Sequence, residues 1–172
     1  FIGIEEKLHA RDFAGAIAQI EAAKEEFYKE KEKVMYYLDI GMLYHYNGEW
    51  EKSNEALTKA EYAIEELFTE SISKAALSLL LNDNAKDYSG EDYEDIYLNV
   101  IKSLNYYHLG LFDDAMVEIR RVNIKLNILE DKYRDLAAEY NKSDEAETNL
   151  AVGENTFHNS ALARYVGMLL FR

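Results

Sequence analysis

The 172-residue chain contains no cysteine and no proline. Without cysteine, disulfides, thiol nucleophiles and thiolate metal sites are excluded outright. The redox character of the compartment stays open, because a chain without thiols suits either environment. Average usage would place about eight prolines in a chain of this length. Their absence favours helix, whose interior tolerates proline poorly. Long apolar runs are missing too. The longest, Ala75 to Leu81 with Ser78 inside it, falls far short of the roughly 20 residues of a membrane span. Basic residues are outnumbered, 19 Lys and Arg against 33 Asp and Glu, for a net charge of −14. That balance repels nucleic acid and anionic membrane surfaces, which are bound through clustered Lys and Arg. No nucleic-acid partner is expected, and the acidity reads as a solubility device. The sequence carries no HExxH, no G-x-S-x-G and no Gly-rich phosphate loop, the patterns that place a metal, a nucleophile or a phosphate. His9, His45, His108 and His158 are scattered without metal-ligand spacing. The expectation is therefore a chain without catalytic residues, metal ligands or a cofactor.

What is present is a repeated pattern. Hydrophobic residues make up 48% of the chain, enough to bury a continuous core in a single domain over residues 1–172. Three segments each combine a turn, an aromatic residue and a small residue ahead of a helical apolar stripe: Arg11-Asp12-Phe13-Ala14-Gly15-Ala16, Gly48-Glu49-Trp50-Glu51-Lys52-Ser53 and Gly110-Leu111-Phe112-Asp113-Asp114-Ala115. Self-similarity of this kind marks stacked helical hairpins. Residues 1–8 read as the end of a helix, and Arg11-Asp12 as a turn. A helix over 12–30 carries Phe13, Ala16, Ile17, Ile20, Ala23 and Phe27 on one face, at spacings of three and four. Helices follow at 34–47, closed by Gly48, and at 50–67. A further helix is expected at 70–81, capped near Ser71 or Ser73, then a loop from Asn82 to Asp92. Long helices at 92–109 and 112–140, a polar segment from Asn141 to Asn159, and a last apolar helix from Ser160 to Phe171 complete the chain. Because the sequence begins with Phe1 inside a helical pattern, an N-terminal piece is expected to have been removed.

Residues 37–60 resemble a tetratricopeptide repeat, a helix pair with aromatic, glycine and alanine at fixed offsets. The positions are supplied by Tyr37, Ile40, Gly41, Tyr44, Gly48, Trp50, Ser53, Leu57 and Ala60. A partial second copy reads Ser103, Tyr106, Gly110, Phe112, Ala115, Ile119 and Val122, with Asn99 and Lys102 where apolar residues are usual. Ala16, Ile20 and Ala23 form a half-copy, and another begins at Tyr165 and Gly167. The small residues at 16 and 53 lie 37 apart, near the period of about 34. Those at 53 and 115 lie 62 apart, which calls for an inserted helix and loop. The fold expected is all-α: an irregular tetratricopeptide-like α-α solenoid of about three helix pairs. The stretch from Leu80-Leu81-Asn82-Asp83 through Gly90-Glu91-Asp92-Tyr93 to Glu118-Ile119-Arg120-Arg121-Val122-Asn123 also resembles a family of bacterial repeat-containing lipoproteins, over roughly residues 35–130. That resemblance implies a location in the periplasm or cell envelope. Membrane attachment would come only through a lipid anchor outside this chain.

Three candidate sites follow. In the repeat register the leading helices line a groove, which places Met35, Leu38, Met42 and His45 in one repeat and Tyr97, Val100, Leu104 and Tyr107 in the next. This apolar and aromatic lining suits a protein or peptide segment, or else a small apolar ligand enclosed between helices. The alternative is that a neighbouring helix fills the groove and makes these residues core. Asn99 and Lys102 share one helix face, as do Glu118 and Arg121 on the next. Lys102 is expected to pair with Glu118, and Arg121 with an acid from 91–95, as a recognition site or as a satisfied structural network. The acids Asp83, Asp87, Glu91, Asp92, Glu94 and Asp95 are dense enough to suggest calcium, but they miss the EF-hand spacing, since Ala85 stands in a ligand slot. Charges capping the helix at 92 are the better reading.

Overall fold

The structure is a computed structural model that describes residues 3–29, 32–73, 88, 90–142 and 160–171. Among the described residues there are eight helices and no strand. These are α1 (Ile4–His9), α2 (Phe13–Ala22), α3 (Lys24–Phe27), α4 (Lys33–Tyr46), α5 (Trp50–Ser73), α6 (Asp92–His108), α7 (Phe112–Tyr140) and α8 (Ala161–Leu170). None is long and apolar enough to cross a membrane.

Two boundaries depart from the sequence expectation. The helix expected over 12–30 breaks at Ala23 (φ −96°, ψ 3°), and after α3 the chain is extended at Tyr28 (φ −116°, ψ 95°). The break carries the Tyr28 ring inward: the residue is buried, and its hydroxyl donates to Asp39 Oδ2 on α4 at 2.8 Å. A continuous helix would hold that ring on its own axis. The second departure is α5, which runs unbroken to Ser73, so Ser71 caps no new helix. The rest of the helix expected at 70–81, most of the loop after it, and nearly all of 141–159 lie outside the described residues.

The repetition seen in the sequence is present as backbone geometry. At the corners between α1 and α2, α4 and α5, and α6 and α7, one residue adopts positive φ: Arg11 (57°), Gly48 (77°) and Gly110 (75°). The following amide then reaches back to close the helix end. Asp12 N–H donates to the Lys7 carbonyl at 2.8 Å, Glu49 to Tyr44 at 2.9 Å and Leu111 to Tyr106 at 2.9 Å. This is the left-handed closure that satisfies otherwise orphaned carbonyls. The small residues of the three stripes, Ala16, Ser53 and Ala115, are all fully buried. The two long pairs also fasten at the same point. Ser53 Oγ donates to the Gly41 carbonyl at 2.8 Å, and Ser103 Oγ to the Ala115 carbonyl at 2.9 Å. The hydroxyl has moved to the opposite helix, yet the contact is kept. At Gly41 a β-carbon would come within 2.7 Å of the Leu57 side chain, so the close crossing of α4 and α5 depends on its absence.

Packing runs along the chain. α1 lies on α2, α2 on α4, α4 on α5, α5 on α6 and α6 on α7, while α8 lies against both α6 and α7. The core divides accordingly. Ile17, Ile20, Ile40 and Leu43 join the first helices; Val34, Leu57, Ile64 and Leu98 join α4, α5 and α6; Val100, Val122, Leu126 and Val166 join the last three.

The corner geometry gives a paired prediction. A left-handed conformation costs a residue with a β-carbon about 1–2 kcal/mol. Nothing lies within 4 Å of a β-carbon at Gly110, so Gly110→Ala should destabilise by that amount through the backbone alone. Arg11→Gly should stabilise by about 1 kcal/mol. Urea denaturation followed by circular dichroism reads both, and equal midpoints in all three proteins would contradict the shared corner.

Candidate functional site

The seam between the α4–α5 pair and the α6–α7 pair is polar. α6 presents Asn99, Lys102 and Asn105, spaced three apart along one face and all buried. Opposite them on α5 is Glu61, 2% exposed. Asn99 Nδ2 donates to Glu61 Oε1 at 2.9 Å and to Glu118 Oε2 at 2.6 Å. Lys102 Nζ donates to Glu61 Oε2 at 2.9 Å and lies 3.2 Å from Glu118 Oε1. From α7, Arg121 Nη1 donates to Glu61 Oε2 at 3.1 Å, and Lys125 Nζ sits 2.8 Å from Glu61 Oε1. Lys125 also donates to Asp95 Oδ1 at 2.6 Å. Three carboxylates thus meet three cations. Burial alone would raise the Glu61 pKa, but Lys125, Lys102 and Asn99 outweigh it and hold the carboxyl down at about 2. Asp95 goes the other way: burial raises it in spite of Lys125.

The four residues expected to cluster, Asn99, Lys102, Glu118 and Arg121, are brought together, and Lys102 does face Glu118. The expected partner of Arg121 is corrected. Arg121 pairs with Glu61, while the acids at 92 and 95 are taken by Lys132 and Lys125 further along α7. Lys125 stands about one turn and Lys132 about three turns beyond Arg121 on α7, and these two lysines meet the acids instead. Glu61 and Lys125 escaped the sequence reading, whereas Asp95 was among the acids expected near the cluster. Glu61 falls beside the stripe Leu57, Ala60, Ile64, and nothing local says which helix will face it. The oxygens of Glu61 are occupied by nitrogen donors from two helices, so the cluster acts as a fastening between helices rather than as a receptor for a ligand.

A second polar chain lies along the same seam. His45 Nδ1 meets Asn105 Oδ1 at 2.6 Å, and Asn105 Nδ2 donates to Ser53 Oγ at 2.8 Å and Asn54 Oδ1 at 2.9 Å. Since the Asn105 oxygen can only accept, the proton sits on His45 Nδ1. Beyond it the Trp50 and His108 rings stack, with centroids 4.3 Å apart and planes 8° off parallel. At the start of α6, Glu91 is the N-cap residue, and its N–H donates to Glu94 Oε2 at 2.8 Å. Glu91 and Glu94 therefore serve a helix end, while Asp92 takes Lys132; Asp83 and Asp87 lie outside the described residues.

The expected groove is rearranged. Val100 is fully buried beneath α8, and Leu104 packs half-buried against the same cluster. They are core, because the last helix lies on α6 and α7 and removes their surface from water. Met35 packs against the first core cluster and Leu38 against the one joining α4 to α6. His45 is spent on Asn105. Tyr97 and Tyr107 are exposed, each at 45%. Only Met42 lines open space: a pocket of about 400 Å³ between α1, α2 and α4, which the sequence did not indicate. Comparison with protein-family models, with curated proteins and with solved structures gives no match to this chain.

Glu61→Gln removes the carboxylate that Lys102, Arg121 and Lys125 share, leaving Lys102 to Glu118 and Lys125 to Asp95 alone, and should cost about 3 kcal/mol at pH 7. The acid limb has a defined sign. With a folded value near 2 against an ordinary 4.5, the Glu61 contribution is complete above pH 4.5 and is lost as pH falls toward 2. It amounts to about 3 kcal/mol. Asp95 and Asp39, both raised above 3.8, act oppositely: their contribution is greatest below pH 3.8 and declines as pH rises. Urea midpoints between pH 7 and pH 2.5 should therefore fall less steeply below pH 4.5 in Glu61→Gln than in the parent. Parallel curves would contradict the assignment.

Proposed function

We propose that the chain is an irregular tetratricopeptide-like solenoid that serves as a protein-interaction scaffold, taking a partner segment along the face of its leading helices α1, α4, α6 and α8. The observation that carries this reading is the threefold corner at Arg11, Gly48 and Gly110, with each helix packed on the next in chain order. In the repeat register the leading helices then share one face. Leu8, Tyr97, Tyr107 and Met168 on these helices are exposed, as is Phe171 just past α8. Aromatic and methionine side chains gathered on an accessible surface suit protein partners. The wall is interrupted where α8 covers Val100, so the contacts belong to Tyr97, Tyr107 and the end of α8 rather than to one unbroken trough.

A location in the bacterial cell envelope, through a lipid anchor outside this chain, is part of the same proposal and rests on the resemblance over residues 35–130. Recovery of the full-length protein in the soluble cytosolic fraction of its own cells would overturn that part. A second reading, a carrier for a small ligand, is favoured by the pocket of about 400 Å³, which falls within the usual range for such sites of roughly 300–1,000 Å³. Native mass spectrometry that recovers the protein without any co-purifying small molecule would count against it.

The scaffold reading is tested by photo-crosslinking in the cells that make the protein. A photoreactive residue at Tyr107 should give one discrete protein adduct. The same residue at Ile128, exposed on α7, should give none. Identical adducts from both positions, or none from Tyr107, would overturn it.

A further inference from the structure

The pocket between α1, α2 and α4 combines two kinds of surface. Ile4, Leu8, Ile20, Met42 and Leu43 supply apolar walls, and Asp39 supplies a carboxylate, with Glu5 at the rim. Asp39 is held in place by Tyr28, whose hydroxyl donates to Oδ2 at 2.8 Å. Burial raises its pKa, and the charge of Glu94 adds to the rise. Among the described residues no cation pairs with it. The lysines of the surrounding helices are committed elsewhere: Lys7 to Asp12 at 3.1 Å, Lys33 to Glu66 at 2.9 Å, and Lys24 over the Tyr36 ring at 4.5 Å. Among the described residues, the second carboxylate, Glu5, has only the exposed His9 as an ion partner, at 3.7 Å.

This composition discriminates among occupants. An anion would meet two carboxylates and be repelled. A neutral apolar molecule would cover the walls but strip water from Asp39 without replacing it, which is costly for a charged group. A cation without an apolar stem would leave the walls exposed. We propose that this pocket is a recognition site for a primary ammonium group on an apolar stem, carried either by a lysine of a partner segment or by a free alkylamine. The ammonium lies against Asp39, and the stem lies along Met42, Leu8 and Ile20. The lysine case rests on the scaffold reading and names the group that its surface selects. The site itself stands on the pocket, so failure of the crosslinking test does not decide it.

The test uses the Met42 methyl signal in protein labelled at its methionine methyls. It is titrated with n-hexylammonium, 1-hexanol, hexanoate, and the capped peptide Ala-Leu-Lys-Leu-Ala alongside its norleucine counterpart. Hexylammonium should shift the signal saturably, hexanol should bind at least tenfold more weakly, and hexanoate should not bind. Asp39→Asn should abolish the preference for the amine over the alcohol while leaving alcohol binding in place, which also reports an intact pocket. The peptide binding more tightly than hexylammonium assigns the site to a protein partner; the reverse assigns it to a free amine. Equal binding of amine and alcohol, a preference that survives Asp39→Asn, or a Met42 signal unmoved by every probe would overturn the proposal.

Discussion

One buried carboxylate holds the two halves of this molecule in register. Glu61 on α5 receives Asn99 and Lys102 from α6 and Arg121 and Lys125 from α7. Among the described residues, no other side chain ties three long helices through so many charged contacts. Such a cluster is a poor source of net stability. Desolvating Glu61, Lys102 and Glu118 is expensive, and apolar packing of the same volume would serve as well or better. Its consequence is geometric. An apolar seam can slide, because one methyl group resembles another. A seam of matched charges has few alternative registers in which every partner is satisfied. The position of α6 and α7 relative to α5, and hence of Tyr97 and Tyr107 relative to Met42, follows from that constraint.

The same seam sorts the residues of α6. Polar residues of α6, Asn99, Lys102 and Asn105, turn toward α5. The apolar residues Ile96, Val100 and Leu104 are thereby left toward α7 and α8, where the amphipathic last helix covers them. At the other end, among the described residues, no comparable helix covers Met42, and short α1 borders a pocket. The open space beside Met42 is thus set by helix length at the first corner. The apolar pattern of its middle helices has little to do with it.

Much of the fold was legible. Glycines at 48 and 110 announced two corners, and the register of Ala16, Ser53 and Ala115 announced the buried crossings. Those signals are local, so a sequence carries them plainly. Asn99 and Lys102 stood out because they occupy apolar positions of the repeat, and the structure joins them to Glu118. What was hidden depended on distant partners. The break at Ala23 exists because Tyr28 turns in to Asp39, eleven residues on. Glu61 looks like one more surface charge on a charged helix until α7 is laid across it. Val100 is buried in a cluster that α7 and α8 complete, the latter more than sixty residues later, and no helical periodicity in α6 can report which helices will arrive there.

Because the chain contains no cysteine, the central claim can be measured by placing spin labels on cysteines introduced at Tyr62 on α5 and Ile124 on α7, both exposed. Double electron–electron resonance should give one narrow distance distribution in the parent. It should broaden or shift when Glu61→Gln is added, with helicity retained by circular dichroism. A distribution that stays equally narrow and centred on the same distance would show that the seam holds its register without the buried carboxylate, and would contradict the account.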